Sequence, residues 1–142
     1  MWLLDTNVVS ELRKARSGRA DPNVVTWAQS VVPTSLYLSV ITLQELALGV
    51  LQIERRDAAQ GRVLRTWLDD QVIPAFASRT LVIDTAVALR SARLHVPDPR
   101  SEADALIAAT ALVHGMTVVT RNVADFAPTG VAVFNPWSSG SA

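Results

Sequence analysis

Five short apolar runs separated by segments of helical periodicity constrain this chain more than any other feature. Trp2–Leu4, Leu36–Val40, Leu81–Ile83, Thr117–Val119 and Val131–Phe134 are too short for helices, which predicts strands in the interior of a sheet. Between them, Leu43, Leu46, Ala47, Val50 and Leu51 recur at i, i+3, i+4, i+7 and i+8. Leu64, Trp67, Leu68 and Val72 continue in the same way and stop near Pro74. Val8, Val9 and Leu12 open a shorter helix that fades over Arg13–Asp21, and Pro22, at a first helical position, opens Asn23–Val31. Ala86–Leu94 and Ala103–His114 complete the set, the latter ended by Gly115. Strands alternating with helices imply crossover connections, so the expected fold is α/β, a parallel sheet with helices on both faces.

The composition suits one such domain. A chain of 142 residues, 49% hydrophobic, can bury a core of its own. Residues 1–137 read as the domain and 138–142 as a flexible tail. The absence of Cys excludes disulfides, thiolate zinc sites and a cysteine nucleophile. No apolar run approaches the roughly 20 residues of a membrane helix, and no basic region precedes an apolar stretch at the N-terminus. A cytoplasmic protein is expected.

The chemistry is carried by acids. Asp5 ends the first apolar run at the mouth of a strand-to-helix turn, where ligand sites of parallel sheets lie. Glu45, Asp104 and Asp125 fall at similar junctions. Each has a local alternative. Thr42-Leu-Gln-Glu45 and Ser101-Glu-Ala-Asp104 both read as capping boxes, and Asp5 could cap its own helix. Taken together the acids say more. The Ala103–Ala109 segment is apolar or small almost all round, so a carboxylate in its first turn sits at the edge of the interior, where it needs a partner. No Lys or Arg lies within a turn of Asp104. A hard divalent cation would satisfy the four acids at once.

Net charge neither supports nor opposes a polyanion as substrate. The chain is formally neutral, with 13 basic and 13 acidic residues, all but one of the basic ones Arg. Gathering four acids into one site leaves a basic remainder around an acidic centre, which suits a phosphate backbone handled through a metal ion. Leu81-Val-Ile-Asp84-Thr85 repeats the pattern around Asp5 and shows that the pattern alone is weak evidence. His95, beside a proline loop, and His114, in a last helical turn, do not read as ligands.

The ordered set Leu3-Leu-Asp-Thr-Asn-Val-Val-Ser-Glu11, Ser39-Val-Ile-Thr-Leu-Gln-Glu-Leu-Ala-Leu-Gly49, Asp104-Ala-Leu-Ile-Ala-Ala109, Thr120-Arg-Asn-Val-Ala-Asp-Phe126 and Asn135-Pro-Trp137 resembles the PIN-domain ribonucleases, in particular the VapC/FitB-like toxins of toxin–antitoxin pairs. The resemblance implies a three-layer α/β/α fold with a five-stranded parallel sheet in order 3-2-1-4-5. That order places strand 3 at the edge and makes Asp84 a helix cap. The resemblance also implies a Mg²⁺- or Mn²⁺-dependent endoribonuclease, with Asp5, Glu45 and Asp104 as the acidic triad and Asp5 and Asp104 as direct metal ligands. Many relatives carry an acid two residues after the Thr equivalent to Thr120, where this chain has Asn122. Asp125 then supplies the fourth carboxylate, and Thr120 and Asn122 help orient the attacking water. The implied partners are an RNA substrate, a cognate VapB/FitA-like antitoxin and a second copy in a homodimer.

Other readings fit less well. A haloacid-dehalogenase-like phosphatase needs a second Asp at the position of Asn7, and a receiver domain needs a late Lys, whereas the only Lys is Lys14. A weak or inactive PIN-like module that binds nucleic acid or a partner protein is the alternative that Asn122 leaves open.

Overall fold

The computed structural model describes residues 1–138. The expected tail therefore lies outside the described residues, apart from Ser138. Strands β1 (Trp2–Leu4), β2 (Leu36–Ser39), β3 (Thr80–Leu81), β4 (Thr117–Val119) and β5 (Val133–Phe134) form one sheet in order β3-β2-β1-β4-β5. Every pairing is parallel. The expected topology is the one found, with β3 at the edge.

Because side chains alternate across a strand, adjacent residues feed opposite cores. Leu3 and Val118, paired in register, enter one core with Val87 and Leu94 of α6 (Thr85–Leu94) and Ala105, Ile107 and Ala108 of α7 (Glu102–His114). Leu4 and Val119, the next pair, enter the other core. There they meet Val8 and Val9 of α1 (Thr6–Arg13) and Leu46 and Val50 of α3 (Val40–Arg56). Trp27 of α2 (Pro22–Ser30) packs beside Trp2 and Phe134, with ring centroids 5.5 and 5.6 Å away. The helix α4 (Ala58–Trp67) runs on through a π-helical turn, Leu68–Val72, into the single turn α5 (Ile73–Ala75). These layers make the predicted α/β/α sandwich.

Three local expectations need correction, the first being β3, which spans Thr80–Leu81 rather than Leu81–Ile83. Thr42 and Glu45 do not form a capping box, because Ser39 caps α3 through Ile41 N–H. Thr42 lies inside the helix, fully buried, and its hydroxyl donates to the carbonyl of Leu4. That contact ties α3 to the end of β1 and leaves Glu45 free for other work. The fifth strand begins at Val133 rather than Val131, since Val131 follows Gly130, whose φ of 80° closes a turn. Ser101 does cap α7 by accepting from Asp104 N–H, as expected.

Candidate metal-binding active site

The register of β1 with β4 builds the centre of the site. Leu4 pairs with Val119, so Asp5 and Thr120 stand side by side just beyond the strand ends, and Asp5 N–H donates to the Val119 carbonyl at 2.9 Å. The strand order changes direction at β1, and a crevice opens where the crossovers leave on opposite faces.

Asp5 is only 6% exposed. Its Oδ1 accepts from Thr6 N–H at 2.8 Å, and its Oδ2 accepts from the Thr120 hydroxyl at 2.8 Å and from the Asn7 carboxamide at 3.3 Å. An ordinary N-cap takes the amide of the second or third helical residue. Asp84 does so, accepting from Val87 N–H, and is a cap. Asp5 takes the first amide instead, and its second oxygen faces β4. Burial pushes the Asp5 carboxyl up; the Thr120 and Thr6 hydrogen bonds oppose this, and the charge of Glu45 reinforces it.

Glu45 approaches from α3 and accepts from the Thr6 hydroxyl at 2.5 Å. Asp104, in the first turn of α7, is pushed up to about 6, mainly by burial and then by the charges of Asp5, Asp125 and Glu45. Asp125 is exposed on the short helix α8 (Val123–Phe126). The four acids thus share one electrostatic neighbourhood, and none belongs to an ion pair among the described residues.

Thr120 is the hub of the polar network. Its hydroxyl donates to Asp5 and accepts from Asn122 N–H at 3.0 Å and from Asn7 Nδ2 at 3.3 Å. Asn122 therefore reaches this network through its backbone, while its side chain makes no cap hydrogen bond. Thr6 and Asn7 are the residues that sequence reasoning left without a role. Thr6 links Asp5 to Glu45, and Asn7 links Asp5 and Thr120 to Arg121 N–H at 3.2 Å. The signal was present, since Asp5-Thr6-Asn7 is more polar than a helix cap requires. His95 lies elsewhere, bracing the loop before α7 by accepting from Arg100 N–H.

The donor set suits a hard cation. It offers carboxylates whose mutual repulsion no basic side chain among the described residues relieves by an ion pair. It is not a closed cage, because no group of three or more acids or histidines among the described residues is arranged to hold an ion. Mg²⁺ commonly takes one or two carboxylates and keeps several waters, so an open arrangement fits it.

Comparison with known proteins places the chain in a family. Toxin FitB of Neisseria gonorrhoeae is 42% identical over 145 residues, covering 96% of this chain and 99% of that protein. A VapC ribonuclease, Y4jK, of Sinorhizobium fredii is 39% identical, covering 96% and 98%. Among solved structures, FitAcB from Neisseria gonorrhoeae superimposes with a TM-score of 0.87 at 39% identity, covering 96% of this chain and 99% of that one. FitAB bound to a DNA fragment does so with the same TM-score at 38% identity, covering 97% and 96%. Residues 2–128 match the PIN domain, and the chain belongs to the PIN-domain family.

Proposed function

We propose that this protein is a Mg²⁺- or Mn²⁺-dependent endoribonuclease and the toxin of a toxin–antitoxin pair. The observation that carries the reading is the gathering of Asp5, Glu45, Asp104 and Asp125 at the strand ends with no basic partner in an ion pair among the described residues. Asp5 and Asp104 are the direct ligands, and Glu45 and Asp125 complete the shell or position water. A divalent ion bound there would activate water and stabilise charge on the phosphate. Thr120 and Asn7 hold the Asp5 carboxylate in one orientation, and Thr6 does the same for Glu45. The attacking water falls to the Asn122 side chain, because the Thr120 hydroxyl is already used by Asp5, Asn122 N–H and Asn7.

The partners follow from the relatives. A solved relative from Klebsiella pneumoniae is a toxin–antitoxin complex, and a FitA-like antitoxin is the matching partner here. A cleft of about 300 Å³ between α1, α3 and α4 runs from Thr6 and Glu45 past Leu46 and Val50 to Trp67. An amphipathic antitoxin helix would lay its apolar face there and extend an Arg or Lys among Asp5, Glu45 and Asp104. The protein acts in the cytoplasm as a homodimer; no described helix is long and apolar enough to cross a membrane.

The test is cleavage of a mixed RNA pool by the purified protein. EDTA should remove activity, Mg²⁺ or Mn²⁺ should restore it, and Asp104→Asn should abolish it while the circular-dichroism spectrum stays unchanged. Equal cleavage by wild type and Asp104→Asn sinks the assignment. No cleavage under any metal favours the non-enzymatic module.

A further inference from the structure

We propose that Arg121 is an RNA-backbone contact beside the acidic centre, held in its working position by Trp137; this rests on the ribonuclease reading above. Arg121 directly follows Thr120, the residue whose hydroxyl binds Asp5. Its own backbone N–H is held by Asn7 Oδ1, and Asn7 also touches Asp5. The main chain at Arg121 is therefore fixed two hydrogen bonds away from a proposed metal ligand.

The side chain is exposed and makes no ion pair among the described residues. Its guanidinium lies over the Trp137 ring, 5.3 Å from the centroid. The nearby Glu11 feels the charge of Arg121, yet its carboxylate is already engaged by Lys14 at 2.8 Å and by Asp21 N–H at 2.8 Å. The guanidinium thus keeps its donors for a ligand.

Trp137 is a built support. Its N–H donates to Asn135 Oδ1 at 2.9 Å, its carbonyl accepts from Asn23 Nδ2 at 2.9 Å, and its side chain packs against the core beneath α1 and α3. A stacked guanidinium keeps its planar fork in one orientation and loses less freedom on binding, which suits a phosphate. The nearest polyanion for an Arg at the rim of a phosphodiester-cleaving site is the substrate itself, at a phosphate flanking the scissile one. The sequence from Asn135 to Trp137 therefore serves as a strap that places a cation next to an acidic centre.

The experiment measures binding of a fluorescein-labelled single-stranded RNA by anisotropy, with Mg²⁺ present and the full chain in an Asp104→Asn background. Arg121→Ala should raise Kd about three- to tenfold and reduce the salt slope by about 0.7, the contribution of one phosphate contact to a single strand. Arg121→Lys, which keeps the charge and loses the plane, and Trp137→Leu should fall between. Arg93→Ala, an exposed Arg on α6, should leave Kd unchanged. In the cleaving enzyme, Arg121→Ala should raise KM with kcat altered less than about twofold. Unchanged Kd and salt slope in Arg121→Ala overturn the proposal, as does a fall in kcat at constant KM, which would make Arg121 a prop for Thr120. A wild type that cuts no RNA, combined with weakened binding by Arg121→Ala, would defeat the nuclease reading and leave this contact standing.

Discussion

At the scale of single residues, the acids differ in how firmly the fold holds them. Asp5 is buried and hydrogen-bonded through both oxygens, whereas Asp104 is partly buried and answers chiefly to burial and then to like charge. Its folded pKa of about 6 lies above the ordinary 3.8. The sign follows directly: the folded state favours the protonated form, so the stability this group contributes is full below about pH 4 and is lost as pH rises through about 6. Above that range the metal-free protein carries an ionised, repelled carboxylate. Asp104→Asn should therefore raise the Tm of the EDTA-treated protein above pH 6 and have little effect near pH 4. Adding Mg²⁺ should raise the wild-type Tm by mass action; Asp84→Asn, which removes only a cap, should not raise the metal-free Tm and should keep the Mg²⁺ response. If Asp104→Asn lowers Tm at every pH, the acids are not in conflict. Thr120→Val makes a second test, because it takes from Asp5 a buried hydrogen-bond donor worth ~1–3 kcal/mol. It should lower both stability and cleavage, and Thr120→Ser should restore most of each. A Thr120→Val enzyme with full activity would remove Thr120 from the site.

At the scale of elements, the sheet was legible because strands buried on both faces leave unbroken apolar runs, and β1 and β4 have the bounds read from sequence. The edges were less legible. β3 and β5 have two residues each, and short strands are fixed by pairing with a neighbour more than by their own residues. Three of the acids were also legible by position, since Asp5 follows an apolar run and Asp104 and Asp125 lie in first helical turns. Glu45 was read as a site candidate beside a local alternative that the structure overturns, because Thr-x-x-Glu spacing cannot reveal that Ser39, three residues earlier than Thr42, starts the helix. Thr6 and Asn7 were missed because their roles depend on Glu45, Thr120 and Arg121, all distant in sequence. Gly61 is another such case. In sequence it is a weak residue inside a helix; in space a Cβ there would lie 2.6 Å from the Glu54 Cα, so only glycine lets α4 approach α3 this closely. Gly61→Ala should destabilise by ~1–3 kcal/mol despite its better helix propensity. A thermal melt equal to or above wild type would show that the two helices can part without penalty.

At the scale of the whole molecule, the chain is formally neutral, yet its four site acids stand outside the ion pairs that Glu11, Glu54 and Asp69 make with Lys14 and Arg65. Asp5 at the end of β1, Glu45 on α3, Asp104 in the first turn of α7 and Asp125 on α8 share one electrostatic neighbourhood, while Arg13 lines the cleft between α1, α3 and α4, and Arg121 stands at the rim of the acidic centre. A centre of this kind, open to solvent and loaded with metal, would cut RNA wherever it met it, so a cell must hold it in check with a partner. On the reading proposed above, the cleft from Glu45 to Trp67 would give that partner a seat that ends at the acids, and a basic side chain delivered there would displace the cation. Induction of this protein alone should therefore arrest growth. Asp5→Ala should abolish the arrest with soluble protein still accumulating, because one of the two proposed direct ligands is gone. Leu46→Arg, facing the cleft from α3, should weaken rescue by the cognate antitoxin while sparing cleavage in vitro, provided its melt shows a folded protein. Normal growth with active, soluble wild type in the cell would contradict the toxin role, and full rescue of folded Leu46→Arg would move the antitoxin to another surface.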